Sequence, residues 1–381
     1  MRPKSSFEEA DMTIENNLAQ FRLKRGLTAI DLAKKIDVSR QTIYAMEAGT
    51  YMPNTLLALK LAQVLEAKVE DLFRLEDPAA PAHTETAELL PSDQEAQAGL
   101  PVQLCEVDNR LVAVPPAPNA WSLPPADAVL VAAGKQRAKA KVQLFHEEKQ
   151  FRRRLLIAGC DPGISVLLRH LQREGVEAVA AYRNSSQSLD LLKKSLIHVA
   201  GSHLRDEATG ESNLPAVRKH FPKGSVAVVS YAIWQEGIVI ARGNPKSIRG
   251  IEDLARKDVA IVNREPGSGS RFLLDSHLQR AGISPQAVKG YQETASGHLP
   301  AAWQVKNGHA DCCFATKTAA CVFGLDFIPL ESERYDLVIH KRNLSHPSMQ
   351  ILLDTLSRTS FRRELEGLGG YDTRMAGDRI V

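Results

Sequence analysis

The chain has 381 residues, of which 44% are hydrophobic and 24% charged, with a formal net charge of +3. That length exceeds one ordinary core and predicts two or three domains. So small a net charge does not by itself argue for nucleic acid, and any DNA contact must come from local placement. No apolar run approaches the roughly 20 residues that cross a bilayer. The start, Met1 to Glu9, lacks the apolar core of a secretory signal, so a cytoplasmic chain with no membrane partner is expected.

Residues 13 to 75 read as a set of short helices. The first holds Leu18, Phe21 and Leu23 and stops at Gly26. Thr28 caps a second helix, Ala29 to Ile36, with Asp31 in its first turn and Leu32, Ala33 and Ile36 as its apolar stripe. After Asp37-Val38, Ser39 caps a third helix that ends at Gly49, and a fourth follows Pro53. Two helices joined by a tight turn fit a helix-turn-helix whose second helix enters the major groove. The residues expected to touch DNA are Thr28, Ser39, Arg40, Gln41, Thr42 and Tyr44. Gln suits an adenine edge, Arg a guanine edge or a phosphate, and Thr a thymine methyl.

Residues 76 to 100, rich in Pro and Ala, read as a linker. Residues 101 to 148 carry short β-like runs around Val102-Gln103-Leu104, Leu111 to Val114, Ala128 to Val131 and Val142 to Phe145. They fit either a small β unit or padding on the next domain. From Arg152 onward strands and helices alternate: strand Leu155 to Ala158, helix Ile164 to Glu174, strand Val176 to Tyr182, helix Leu189 to Lys194, strand Ile197 to Ala200. This alternation predicts an α/β domain with mostly parallel strands, which binds ligands beyond the strands' carboxyl ends.

The stretch Asn263 to Arg271 joins a strand-like run, Val259 to Val262, to a helix-like run beginning at Phe272. Small residues at such a turn present N–H groups and hydroxyls at the positive end of a helix, where anions bind. Three further turns could line one pocket with it: Gly159 to Gly163, Asn184-Ser185-Ser186, and Gly201 to Leu204, the last two also supplying hydroxyls. The candidate ligand residues are Asp161, Ser185, Ser186, Ser202, His203, Arg264, Ser268, Gly269, Ser270 and Arg271. Arg264 and Arg271 add charge suited to gripping oxygen atoms. Five cysteines (Cys105, Cys160, Cys312, Cys313, Cys321) and eleven histidines form no CxxC pair and no ligand spacing along the chain, so no metal and no cofactor are expected.

Two resemblances sharpen these readings. Thr28 to Ala33, Ser39 to Gly49 and Pro53 resemble the Cro/repressor (XRE) family. That implies a recognition helix starting at Ser39, base contacts from Gln41 and Thr42, a structural Glu47, and a homodimer on a double-stranded operator. Residues from about 152 to the C-terminus, through Ala200 to Leu204, Gly243 to Ile248, Ile251 to Leu254, Val259 to Arg271, Gly308 to Asp311, Gly324 to Leu330 and Glu333 to Leu337, resemble type II periplasmic-binding-protein domains, especially the molybdate-binding-like cytoplasmic branch. That implies two α/β lobes, one of 152–238 and 322–381 and the other of 239–321, closing on molybdate, tungstate or a related oxyanion. Two stretches depart from that branch: a glycine intervenes in Ser296-Gly297-His298, and Cys312-Cys313 replaces a small, glycine-containing run. The expected fold class is multidomain, an all-α helix-turn-helix head plus an α/β two-lobed domain. The expected function is a one-component, non-enzymatic transcription regulator that senses a small anion. The alternative is an enzyme or accessory protein of molybdenum cofactor metabolism.

Overall fold

The computed structural model describes residues 14–75, 84–91, 96–116, 125–133, 139–145, 150–206 and 209–381. The chain divides into two units, one ending at His83 and the other starting at Thr84. Among the described residues no helix is long and apolar enough to cross a membrane.

In the first unit, helices α1 (Leu18–Lys24), α2 (Ala29–Ile36), α3 (Arg40–Glu47), α4 (Thr55–Leu65) and α5 (Val69–Leu72) close over a core of Leu18, Leu32, Ile36, Ile43, Met46, Leu61, Leu65 and Leu72. Each start is written locally. Thr28 and Asp31 form a reciprocal capping box at α2, Ser39 accepts the Thr42 N–H at α3, and Asn54 accepts the Leu57 N–H at α4. Asp37 takes the left-handed conformation, φ 60°, that turns the chain between α2 and α3. Arg22 grips Glu47 through two nitrogens, at 2.5 and 3.1 Å, tying α1 to the end of α3. The unit is helical as expected, with one short strand pair added. Strands β1 (Ile14–Asn16) and β2 (Phe73–Leu75) pair antiparallel, because the chain leaves α5 extended at Phe73.

The second unit opens with five strands: β3 (Thr84–Leu89), β4 (Pro101–Val107), β5 (Arg110–Val114), β6 (Ala128–Ala133) and β7 (Lys139–Leu144). They close into a barrel in the order β3-β5-β4-β6-β7 around Ala87, Leu104, Ala113, Leu130 and Val142. The choice left open for 101–148 therefore falls on a β unit. The stretch 76–100 is not a linker throughout, since β3 lies within it. Ala87 and Leu89 face the barrel core one residue out of two, a period that the many prolines nearby conceal. Residues 76–83 and 92–95 of that expected linker, and 117–124, 134–138 and 146–148 of the expected β segment, lie outside the described residues. Asp108 and Asn109, both at positive φ, make the β4–β5 turn.

The remainder is an α/β domain. Strands β8 (Leu155–Gly159), β9 (Ala178–Tyr182) and β10 (Val199–Ser202) run parallel and alternate with α6 (Ile164–Arg173), α7 (Ser185–Lys193) and α8 (Leu214–His220). Strand β11 (Val226–Ile240) then crosses to a second group. That group contains β12 (Ile261–Arg264), α9 (Gly269–Arg280), β13 (Thr294–Ala295), α10 (His298–Lys306), β14 (Cys312–Thr316) and α11 (Lys317–Phe323). Strand β15 (Asp326–His340) crosses back, and α12 (Pro347–Ser357), α13 (Thr359–Gly367) and β16 (Tyr371–Asp372) finish on the first group.

The sheet order is β13-β12-β14-β11-β15-β10-β8-β9, with β16 on β11. Within each group the strands are parallel, as the alternation predicts, but β11 and β15 pair antiparallel over their whole length. Several elements start later or earlier than the apolar runs suggest. Helix α7 begins at Ser185 rather than Leu189, because Asn184 and Gln187 form a capping box there.

One half-buried histidine gives this core a pH signature. His198 Nδ1 accepts the Leu156 N–H at 2.9 Å, and burial, then the nearby His346, push its pKa down to about 4. The unfolded chain takes up a proton near pH 6.5 that the folded chain refuses, so this contribution is complete above pH 6.5 and is lost as pH falls toward 4. Denaturant melts at pH 7 and pH 4.5 should show roughly 2 kcal/mol lost through this group, and His198→Asn, which keeps an acceptor without titrating, should remove that part of the slope.

Candidate functional site

On the head, α3 carries the expected DNA-reading face. Arg40, Gln41 and Tyr44 are exposed. The Arg40 guanidinium lies 5.0 Å from the Tyr44 ring centre and donates to its hydroxyl at 2.8 Å. Thr42 is half-buried and its hydroxyl bonds the Ser39 hydroxyl, and Thr28 spends its own on Asp31. Ser39 and Thr28 are thus helix caps first.

In the α/β domain the predicted turns come together between the two strand groups. Asn184, just before α7, donates from Nδ2 to the Pro266 carbonyl at 3.1 Å, and the Ser186 N–H points to the Gly267 carbonyl. Gly269, first residue of α9, presses on His203: a Cβ there would lie 2.4 Å from the His203 ring and 2.5 Å from its carbonyl oxygen. Only glycine allows the groups to approach this closely.

Behind this contact lies a fully buried polar cluster fed by three sources. From the first group come Cys160 and Asp161 after β8 and His203 after β10. From the second come Arg264 at the end of β12, Ser270 on α9 and His298 at the start of α10. Trp234, Glu236, Glu333 and Tyr335 project from the crossing strands. The rings of His203, Trp234 and His298 have centres 4.9 to 5.6 Å apart. The Tyr335 hydroxyl fills the place where a Gly201 side chain would begin, 1.8 Å from that Cβ position.

His203 Nδ1 bonds Glu333 Oε2 at 2.8 Å and stands 3.5 Å from Glu236. Burial opposes a charge on His203, but Cys160, Glu236 and Glu333 around it outweigh that and hold its pKa well above the ordinary value. Burial, then the Glu236 charge, push Glu333 up to about 8. Burial also opposes ionisation of Glu236, but the charged His203 beside it keeps its pKa below the ordinary value. One carboxylate of the pair thus carries the charge and the other the proton. His298 goes the opposite way from His203: burial, then Arg264, hold its pKa well below normal, so it is neutral.

Arg264 is matched by Glu265 through two bonds, at 3.0 and 3.2 Å, and donates from one nitrogen to Ser270 Oγ and His298 Nδ1. Among the described residues, His203 Nε2, His298 Nε2, Trp234 Nε1, the Tyr231 hydroxyl, Asp161 Oδ2 and both Glu236 oxygens are buried without a hydrogen-bond partner. An unmet polar group inside a protein is costly. Their concentration in one place makes this cluster the candidate site of the domain.

Of the candidates read from sequence, Asp161, His203, Arg264 and Ser270 belong to this cluster, with Gly269 against it. The others are engaged elsewhere. Ser202 donates to Asn213, Ser185 accepts the His203 N–H, and Ser268 caps α9 while donating to the Glu265 carbonyl. Ser186 is half-buried beside Gly267, and Arg271 stacks on the Tyr291 ring and donates to the Arg264 carbonyl. Among these hydroxyls Ser268 caps a helix, while Ser185 and Ser202 bond neighbouring groups of the fold. Cys160, Trp234, Glu236 and Glu333 were missed, and His298 was set aside on its glycine insertion. Gly297, at φ 108°, is what turns His298 inward.

Residues 18–72 match the helix-turn-helix family, and residues 168–357 match the PBP superfamily domain. The Bacillus subtilis (strain 168) protein YvgK is 33% identical over 244 residues, 64% of this chain and 79% of that protein. A helix-turn-helix-type transcriptional regulator from Methanocaldococcus jannaschii is 48% identical over 64 residues, 17% of this chain and 97% of its own. The sulfate-binding protein SubI from Mycobacterium tuberculosis H37Rv is similar at 11% identity, with a TM-score of 0.45, over 57% of this chain and 86% of that one. The chain belongs to the family of PBP-superfamily proteins and carries a helix-turn-helix domain ahead of that part.

Gly269→Ala should hold the strand groups apart. Calorimetry with molybdate as the probe should show affinity lowered at least tenfold, about 1.4 kcal/mol, with the unliganded melting temperature nearly unchanged. An unchanged affinity would mean that the groups do not close on the ligand.

Proposed function

We propose that this protein is a transcription regulator that binds an operator through α3 and is controlled by a small anionic effector held between the two strand groups. The observation that carries this reading is the buried cluster itself. Residues from both groups and from the crossing strands converge there, and its polar atoms lack partners. An effector filling it stabilises the closed arrangement over the open one, and that difference is the free energy available to alter the head.

An oxyanion of the molybdate or tungstate type is supported by the charge and donors present. Arg264 is buried, His203 is held protonated, Trp234 offers an unmatched N–H, and the α9 N-terminus lies alongside. On the head, Gln41 and Arg40 are the exposed residues suited to base edges, and a homodimer would place two α3 helices on paired half-sites.

Molybdate or tungstate at about a hundred times its dissociation constant should add roughly 2.7 kcal/mol to stability, seen as a rise in melting temperature, and should shift operator affinity in the same titration. Gln41→Ala should weaken operator binding by about 1–3 kcal/mol while leaving the oxyanion-induced rise intact. Ser270→Ala should do the reverse. If no oxyanion moves both quantities, the effector assignment fails; if Gln41→Ala leaves the operator affinity unchanged, the DNA-reading assignment fails.

A further inference from the structure

The geometry points to a thiophilic transition-metal site, of the zinc type, formed by Cys160, His203 and His298. These three side chains come from different loops and from both strand groups. Each brings one donor atom to within 4.8 Å of the other two, and all three are buried. A tetrahedral ion holding sulfur at about 2.3 Å and nitrogen at about 2.1 Å sets its donors roughly 3.5 Å apart. The trio needs only a modest contraction to reach that. One thiolate and two imidazoles form a donor set suited to zinc-like ions and leave a fourth position open.

The surroundings support the same reading. Nε2 of His203 and Nε2 of His298 both lack hydrogen-bond partners among the described residues. His203 Nδ1 is held by Glu333 at 2.8 Å, so a carboxylate orients the ring and leaves Nε2 to act as a donor atom. For His298 the pattern requires one adjustment. Arg264 donates to its Nδ1 at 3.0 Å, and a guanidinium can only donate, so the ring hydrogen sits on Nε2 in this state. Binding an ion at Nε2 moves that hydrogen to Nδ1, which requires the Arg264 N–H to leave Nδ1 and keep its bond to Ser270 alone. Glu236 Oε1, 3.8 Å from Nδ1 and without a hydrogen-bond partner, is the acceptor in place for it.

The metal site therefore accounts for the unmet Glu236 carboxylate as well as for the two ring nitrogens. Charge agrees. Arg264 is matched by Glu265, so the Glu236 carboxylate is left to face a cation; on binding, Cys160 loses its thiol proton and His203 its Nε2 proton, both to solvent, while His203 Nδ1 stays bonded to Glu333. The Trp234 N–H, beside both rings, is a donor for the water or anion that occupies the fourth position.

The test uses the full chain, stripped with a chelator, and titrated with Co(II) and with Zn(II). One Co(II) per chain should bind, with a thiolate-to-Co(II) charge-transfer band that Zn(II) displaces. Cys160→Ser should abolish the band and weaken binding at least tenfold, His298→Gln should weaken it comparably, and Cys321→Ser, at an exposed thiol, should retain both. Far-ultraviolet circular dichroism of each variant separates loss of the site from loss of the fold. Should Cys160→Ser unfold, the His298→Gln titration decides. Substoichiometric binding, binding without the band, or a band that survives Cys160→Ser in a folded protein would overturn the site. Molybdate titration of the stripped protein is read separately, so failure of the oxyanion assignment and failure of the metal site remain distinguishable.

Discussion

The pairing of β11 with β15 is the constraint on which the α/β domain depends. Two strands of fifteen residues run antiparallel from Val226 opposite His340 to Ile240 opposite Asp326, and they alone carry the sheet from one strand group to the other. Their middle sections belong fully to neither group. Trp234, Glu236, Glu333 and Tyr335 sit there, with Trp234 directly opposite Glu333. Register shifts at Ser230/Ala232 and at Glu236/Gly237 set which face each side chain takes. A two-residue slip would carry the carboxylates away from His203, and a one-residue slip would turn them to the other face.

That placement explains the electrostatics. His203, His298, Glu236, Glu333 and Arg264 are buried within one cluster, where water screens their charges poorly. They reach a workable state by opposing shifts: His203 gains its proton, His298 loses its own, Glu333 keeps one while Glu236 gives it up, and Arg264 takes Glu265 as counter-ion. What stays unmatched is hydrogen-bonding and ligating capacity at the inner ends of the two imidazoles, the indole and Glu236. Because these atoms come from both groups, the site is complete only when the groups meet, as they do through Asn184 with Pro266 and Gly269 with His203.

The head follows simpler physics. Its helices begin where Thr28, Ser39 and Asn54 accept backbone N–H groups, and each cap acts within three residues of itself. Such signals survive in a bare sequence because they require nothing from distant chain. The barrel shows the opposite case. Its strands pair across long separations, β3 with β5 and β7, and that closure turns a stretch with the composition of a linker into a strand. Contacts of that range leave little trace in any short window.

The amino-acid sequence by itself determined the helix-turn-helix, the alternation of strands and helices after Arg152, and the Asn263 to Arg271 turn. Each is encoded by capping residues, periodicity or small residues acting locally. Tertiary structure alone decided which polar side chains share the interior. Ser202 and Ser268 are spent on Asn213 and on the α9 cap. Cys160, Glu236, His298 and Glu333, spread over more than 170 positions, become neighbours because the crossing strands return the chain to the same place. Spacing along a chain reveals a site built within one element. It is silent about one assembled from loops and strands whose separation in space is set by a sheet.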